Sequence, residues 1–119
     1  MNLRQFEQLF KAFSDKQRIR ILALLSDGPL AVNQITSVLH LSMSTISQHL
    51  TILRNANLVI DDKKGRWVYY SITDEARDKK TMAGSIYKEL QKYFEEEEFI
   101  YDKKMLQKLS KPQFDVKKP

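Results

Sequence analysis

The chain changes its hydrophobic period at residue 57, and that change constrains the fold more than any bulk property. Before it, Ile46, Leu50 and Leu53 recur at i, i+4 and i+7, one face of an α-helix. After it, Leu58–Ile60 and Trp67–Ile72 are rich in β-branched and aromatic residues. They flank DDKKGR, which contains Gly65, and predict a two-stranded hairpin with a longer, basic tip. Ser42 is well placed to cap the helix. Asn57 stands where the chain must turn through a left-handed conformation, which asparagine tolerates better than any residue except glycine.

The rest of the chain reads as helix. Leu3, Phe6, Leu9, Phe10 and Phe13 predict a short amphipathic helix over 2–13. Ser14 can cap a second helix, with Asp15 in its first turn, and Gly28 and Pro29 stop it. Val32, Ile35, Val38 and Leu39 predict a third helix over 31–39. Met82, Ala83, Ile86, Tyr87, Leu90 and Phe94 line one face of a helix over 75–94. FEEEEFIY fits either a continuing helix or a turn; Met105, Leu106 and Leu109 suggest one more short helix, and KPQFDVKKP reads as a frayed tail. The expected fold is mainly α with a small β-hairpin, in a domain over 1–94 with a C-terminal extension over 95–119.

Composition removes several function classes. The chain has no cysteine, so it offers no disulfide, no thiolate metal site and no thiol nucleophile. Charges interrupt the apolar residues of MNLRQFEQLF, which is neither a signal-peptide core nor a membrane span, and a cytoplasmic location is the expectation. The net charge of +5 is unevenly spread: residues 1–73 hold nine Lys/Arg against five Asp/Glu, and residues 74–119 hold eleven against ten. A polyanion-binding surface belongs in the first two thirds.

Ser42, Ser44 and Ser47 crowd into six positions with a histidine two residues on, which raises the question of catalysis. With Ile46, Leu50 and Leu53 inward, Ser44, Ser47, Gln48, Thr51 and Asn55 share the opposite arc, with Met43 at its edge. His49 is rotated roughly 100° from Gln48, Ser47 and His49 do not face each other, and no acidic residue lies in this helix to orient the imidazole. No nucleophile–base–orienter set forms, and an enzyme is not expected. Taken alone, a polar arc like this is a solvated helix face. Beside a hairpin tip carrying Lys63, Lys64 and Arg66 it suits a B-DNA major groove, with the tip reaching phosphates or the minor groove.

SDKQRIRILALL, LSMSTISQHLTILRNANLV and DDKKGRWVYYSI together resemble the ArsR/SmtB family of bacterial winged helix-turn-helix repressors, over about residues 5–75. Asn57 and His40 stand where that family commonly has glycine. The resemblance implies DNA-reading positions at Met43, Ser44, Ser47 and Gln48, a largely structural His49, and an obligate homodimer on an inverted-repeat operator. The first and last helices would pack across the two-fold axis. Two apolar stripes support that pairing: Leu3, Phe6 and Phe10, and Met82, Ile86, Tyr87 and Leu90. Both could instead pack within one chain.

The same resemblance leaves the signal open. The positions of the family's third-helix cysteine site carry Ala31 and Asn33. Of the dimer-helix site Asp74 is retained, with Ala76, Tyr87 and Leu90 at the remaining positions. No metal and no cofactor is expected; His40 with His49, and Glu95–Glu98, are weak alternatives. A small organic effector lined by Tyr87, Tyr93 and Phe94, a protein partner on 95–119, or no ligand at all remain. The alternative function is a winged-helix protein-interaction module docking a partner through its C-terminal extension; a non-specific architectural DNA protein is a third.

Overall fold

In the computed structural model, which describes residues 1–109, most helices begin at a side-chain cap. Helix α1 (Leu3–Phe13) starts at Asn2, whose side chain accepts from the Gln5 N–H while Gln5 Oε1 accepts from the Asn2 N–H. That reciprocal box satisfies two N–H groups the helix cannot. Helix α2 (Lys16–Leu25) starts one residue later than the sequence suggests: Asp15 is the cap, accepting from Gln17 and Arg18, and Ser14 closes α1 by donating to the Lys11 carbonyl. Two adjacent residues with capping side chains divide the work, and the carboxylate takes the helix start. Burial alone would raise the Asp15 carboxyl, but those backbone N–H groups and the Arg18 charge hold it below its ordinary value.

Helix α2 is the centre of the fold. Ile21, Leu22, Ala23, Leu24 and Leu25 are all buried, because α1, the helices over 32–39, 43–55 and 97–108, and the strand over 67–72 surround them; a segment apolar on every side needs neighbours on every side. After Gly28 come strand β1 (Leu30–Ala31), helix α3 (Val32–Leu39), helix α4 (Met43–Asn55), strand β2 (Val59–Lys64) and strand β3 (Trp67–Ile72). β1 adds antiparallel to β3, so the hairpin is part of a three-stranded sheet in the order β1-β3-β2. A two-residue strand leaves no periodic signal, and its pairing was not legible in the sequence.

The hairpin is tighter than its sequence suggests. Asp61 pairs with Tyr70 and Lys64 with Trp67, so only Gly65 and Arg66 form the loop. Gly65 takes φ 63, the left-handed entry that lets a two-residue turn follow the strand twist. Asn57 takes φ 60, as its position demands, and His40 closes α3 at φ 57.

The helix expected over 75–94 is broken. Helix α5 (Asp74–Arg77) is capped by Thr73, and helix α6 (Met82–Gln91) by Thr81, whose hydroxyl accepts from the Gly84 N–H. A β-carbon at residue 84 would collide with the Asp78 carbonyl, so this sharp re-entry requires Gly84. Helix α7 (Glu97–Lys108) follows from FEEEEFIY and packs on α2 and α3. The KPQFDVKKP tail lies outside the described residues.

The two apolar stripes divide unequally. Leu9 and Ala12 of α1 are in the core, whereas Leu3 is 84% and Phe10 55% exposed, with Phe6 half-buried. On α6, Met82 is exposed and Ile86 and Leu90 are half-buried. Tyr87 departs from expectation: it lies in the chain's own core, edge-on to Phe94, because the break before Thr81 re-aims α6. Phe94 is buried too, so of the expected effector-lining set only Tyr93 is exposed.

Candidate nucleic-acid interface

The Ser42 hydroxyl accepts from the Thr45 N–H at 3.1 Å and fixes the start of α4. Ile46, Leu50 and Leu53 then bury completely, and the opposite face is left outside. Met43, Ser44, Ser47, Gln48, Thr51 and Asn55 are all exposed, so the arc read from the helical wheel is one continuous surface. Its hydroxyls are not equivalent. Thr51 Oγ1 donates to the Ser47 carbonyl at 2.9 Å, which spends its proton and leaves a methyl and an acceptor outward. Ser44 Oγ lies 3.2 Å from the Ser42 hydroxyl. Among the described residues the side chains of Ser47 and Gln48 have no protein partner, so a base edge would meet them without displacing a bond.

The wing supplies the positive charge, but its lysines differ. Successive strand residues point to opposite faces, so Lys63 and Lys64 leave β2 on opposite sides. Lys64 sits 3.8 Å from Asp62, an exposed pair that gives little in water. Arg66 lies with its guanidinium 5.8 Å from the Trp67 ring centroid, and it lines a cleft with Met43 and Ser47. The wing root and the first turn of α4 are therefore adjacent. Burial pushes the Tyr70 hydroxyl above its ordinary value, Asp61 adds to that and Arg54 opposes it, so this phenol stays protonated at neutral pH.

Sequence reasoning missed what holds α4 in place. Arg18 is 8% exposed; its Nε donates to the Ala12 carbonyl, Nη2 to the Lys11 carbonyl, and Nη1 lies 3.2 Å from His49 Nδ1. A guanidinium has only donors, so His49 Nδ1 accepts and its proton sits on Nε2. One side chain thus ties the end of α1 and the body of α4 to α2. In the sequence Arg18 is one of three cations in the first half of α2, with nothing local to single it out.

Residues for the family's metal chemistry are absent from these positions. Ala31 is buried and Asn33 half-buried at the start of α3, and neither is a thiolate. Among the described residues no three His, Asp or Glu side chains converge, and the residues present do not fit a metal site of that kind.

A helix-turn-helix with its second helix exposed, followed by a basic hairpin wing, defines a winged helix-turn-helix DNA-binding protein. Comparison with known proteins agrees. Residues 15–61 match the model of the bacterial regulatory protein arsR family. The chain is 40% identical over 74 residues to the arsenical resistance operon repressor of Bacillus subtilis, spanning 61% of this chain and 70% of that one. It therefore belongs to the arsR family of bacterial transcriptional regulators.

Two solved structures place the fold in the same group. HlyU from Vibrio cholerae superposes with a TM-score of 0.64 at 30% identity, covering 79% of this chain and 98% of that one. The homodimeric winged helix-turn-helix domain of a possible ArsR-family regulator from Mycobacterium bovis gives 0.65 at 28%, covering 79% and 82%.

Proposed function

We propose that two copies of this chain act as a transcription repressor in the cytoplasm, seating α4 of each copy in the major groove of an inverted-repeat operator. Repression is by occupancy and involves no catalysis. The observation that carries this reading is the exposed, unobstructed polar face of α4, set beside the wing and opposite a fully buried apolar face. Met43, Ser44, Ser47, Gln48 and Thr51 read base edges; Arg66 and one wing lysine bind phosphate. Leu3, Phe6 and Phe10 of α1, with Met82, Ile86 and Leu90 of α6, form the two-fold interface. Residues 1–94 supply DNA binding and dimerisation, and α7 braces them from behind.

Base-reading and phosphate-binding variants test the assignment. Gln48→Ala should cost about 1–3 kcal/mol on the preferred duplex and relax its sequence preference, while Arg66→Ala should weaken all duplexes alike and lower the salt slope by about one. Equal effects of both changes on every duplex would remove α4 as the reader.

A further inference from the structure

A cleft of about 340 Å³ opens between the start of α3, the start of α4 and β3. That volume lies within the range of small-molecule clefts, about 300–1,000 Å³. Val32, Met43 and Val68 give it apolar walls, and the half-buried rings of Trp67 and Tyr70 give it flat ones. Its polar groups are Asn33, Ser47 and Arg66, with the Trp67 indole N–H and the Tyr70 hydroxyl on the rings.

Three observations decide what such a cleft would hold. The flat rings favour a flat ring over a branched aliphatic body. No carboxylate lines the cleft, and its one charged group is the guanidinium poised over Trp67, a fork that matches a carboxylate. Asn33 Oδ1 is buried with no hydrogen-bond partner among the described residues. A buried acceptor without a donor calls for an explanation. Amide χ2 is soft, so a small turn presents this oxygen to a hydroxyl held in the cleft.

We propose that this cleft is an effector site for a small planar aromatic carboxylate bearing a hydroxyl group, and that filling it excludes DNA by direct competition. The second half rests on the proposed DNA reading, because Met43, Ser47 and Arg66 belong both to the cleft and to the DNA surface. A carboxylate bound to Arg66 withdraws that guanidinium from phosphate, and a ring against Met43 and Ser47 occupies the space beside the first turn of α4. Release then needs no rearrangement of the dimer, in contrast to a signal received at α6.

Trp67 is the only tryptophan in the chain, so the full-length protein reports on the cleft by itself. With 4-hydroxybenzoate as the probe, and no DNA present, the tryptophan emission should change saturably. At a probe concentration ten times its Kd, the apparent Kd for the duplex upstream of the protein's own gene should rise at least about 11-fold. Asn33→Ala removes the amide oxygen offered to the hydroxyl, and should weaken the probe about tenfold or more while leaving DNA binding intact. Asn33→Leu, which removes both polar ends, should do the same and guards against a folding artefact in either variant. An emission change that does not saturate, or equal probe binding by both variants, overturns the site. A probe–protein–DNA complex overturns the competition. If the probe binds but the protein shows no preference for the upstream duplex, the site stands, and the DNA reading and the competition fall together.

Discussion

Asp102, 2% exposed on α7, holds Arg20 of α2 in a two-point ion pair, with Nε to Oδ2 and Nη2 to Oδ1 both at 2.8 Å. The Asp102 hydrogen bond raises the arginine further above its ordinary value. Lys103 adds a second tie, to Asp27 at 2.8 Å, just past the C-terminal end of α2. Residues 97–108 are thus fastened to the central helix, which also carries Arg18, the anchor of α4.

Asp102→Ala should therefore destabilise the protein by about 3 kcal/mol, because it leaves a partly buried guanidinium unpaired. Urea denaturation checks this. A change within about 0.5 kcal/mol would mean that α7 is an appendage and not a brace. Removing residues 95–119 should cost at least as much, so loss of DNA binding in that truncation would not by itself identify a partner site.

Tyr87 gives a change in the opposite direction. Its hydroxyl is buried without a partner among the described residues, and burial pushes the phenol up to about 12. Tyr87→Phe should stabilise the fold by about 1 kcal/mol, since an unsatisfied buried hydroxyl is removed with little change of shape. The pH dependence has a definite sign. The folded phenol titrates above the unfolded one, so the stability linked to keeping it neutral is complete below about pH 10 and is lost as pH rises through about 12. Thermal melts between pH 9 and 12 should fall less steeply for the phenylalanine variant; parallel curves would place the alkaline loss elsewhere.

His40 makes a backbone prediction. At φ 57 and ψ 40 it occupies the left-handed region that costs a residue with a β-carbon about 1–2 kcal/mol. His40→Gly should leave the protein as stable or up to about 1 kcal/mol more so, and His40→Val should cost about 1–2 kcal/mol. A destabilising glycine would show that the imidazole makes a contact outweighing the strain.

The exposed polar arc of α4 and the left-handed turn at Asn57 were legible because each follows from a local rule: helical period, and the sterics of positive φ. Three features were not: two depend on partners distant in sequence, and one on a local clearance that leaves no mark in the apolar period. β1 exists only through pairing with Tyr69 and Tyr70. The kink between α5 and α6 is set by Thr81 and by the clearance at Gly84, while the apolar period runs on past it. That kink turned Tyr87 inwards, so one periodic stripe became part core and part open surface. Arg18 and Asp102 looked like ordinary surface charges, since nothing local tells a solvated arginine from one that three carbonyl and imidazole acceptors surround.

The central claim is that α4 reads DNA sequence from a two-fold dimer. The direct test is titration of the duplex upstream of the protein's own gene against random duplex of equal length, at fixed near-physiological salt and free of metal, with stoichiometry measured on the complex. The account predicts at least about 10³-fold preference, two chains per site, and loss of that preference in Gln48→Ala. Equal binding of both duplexes, or a single chain on the preferred one, would contradict it.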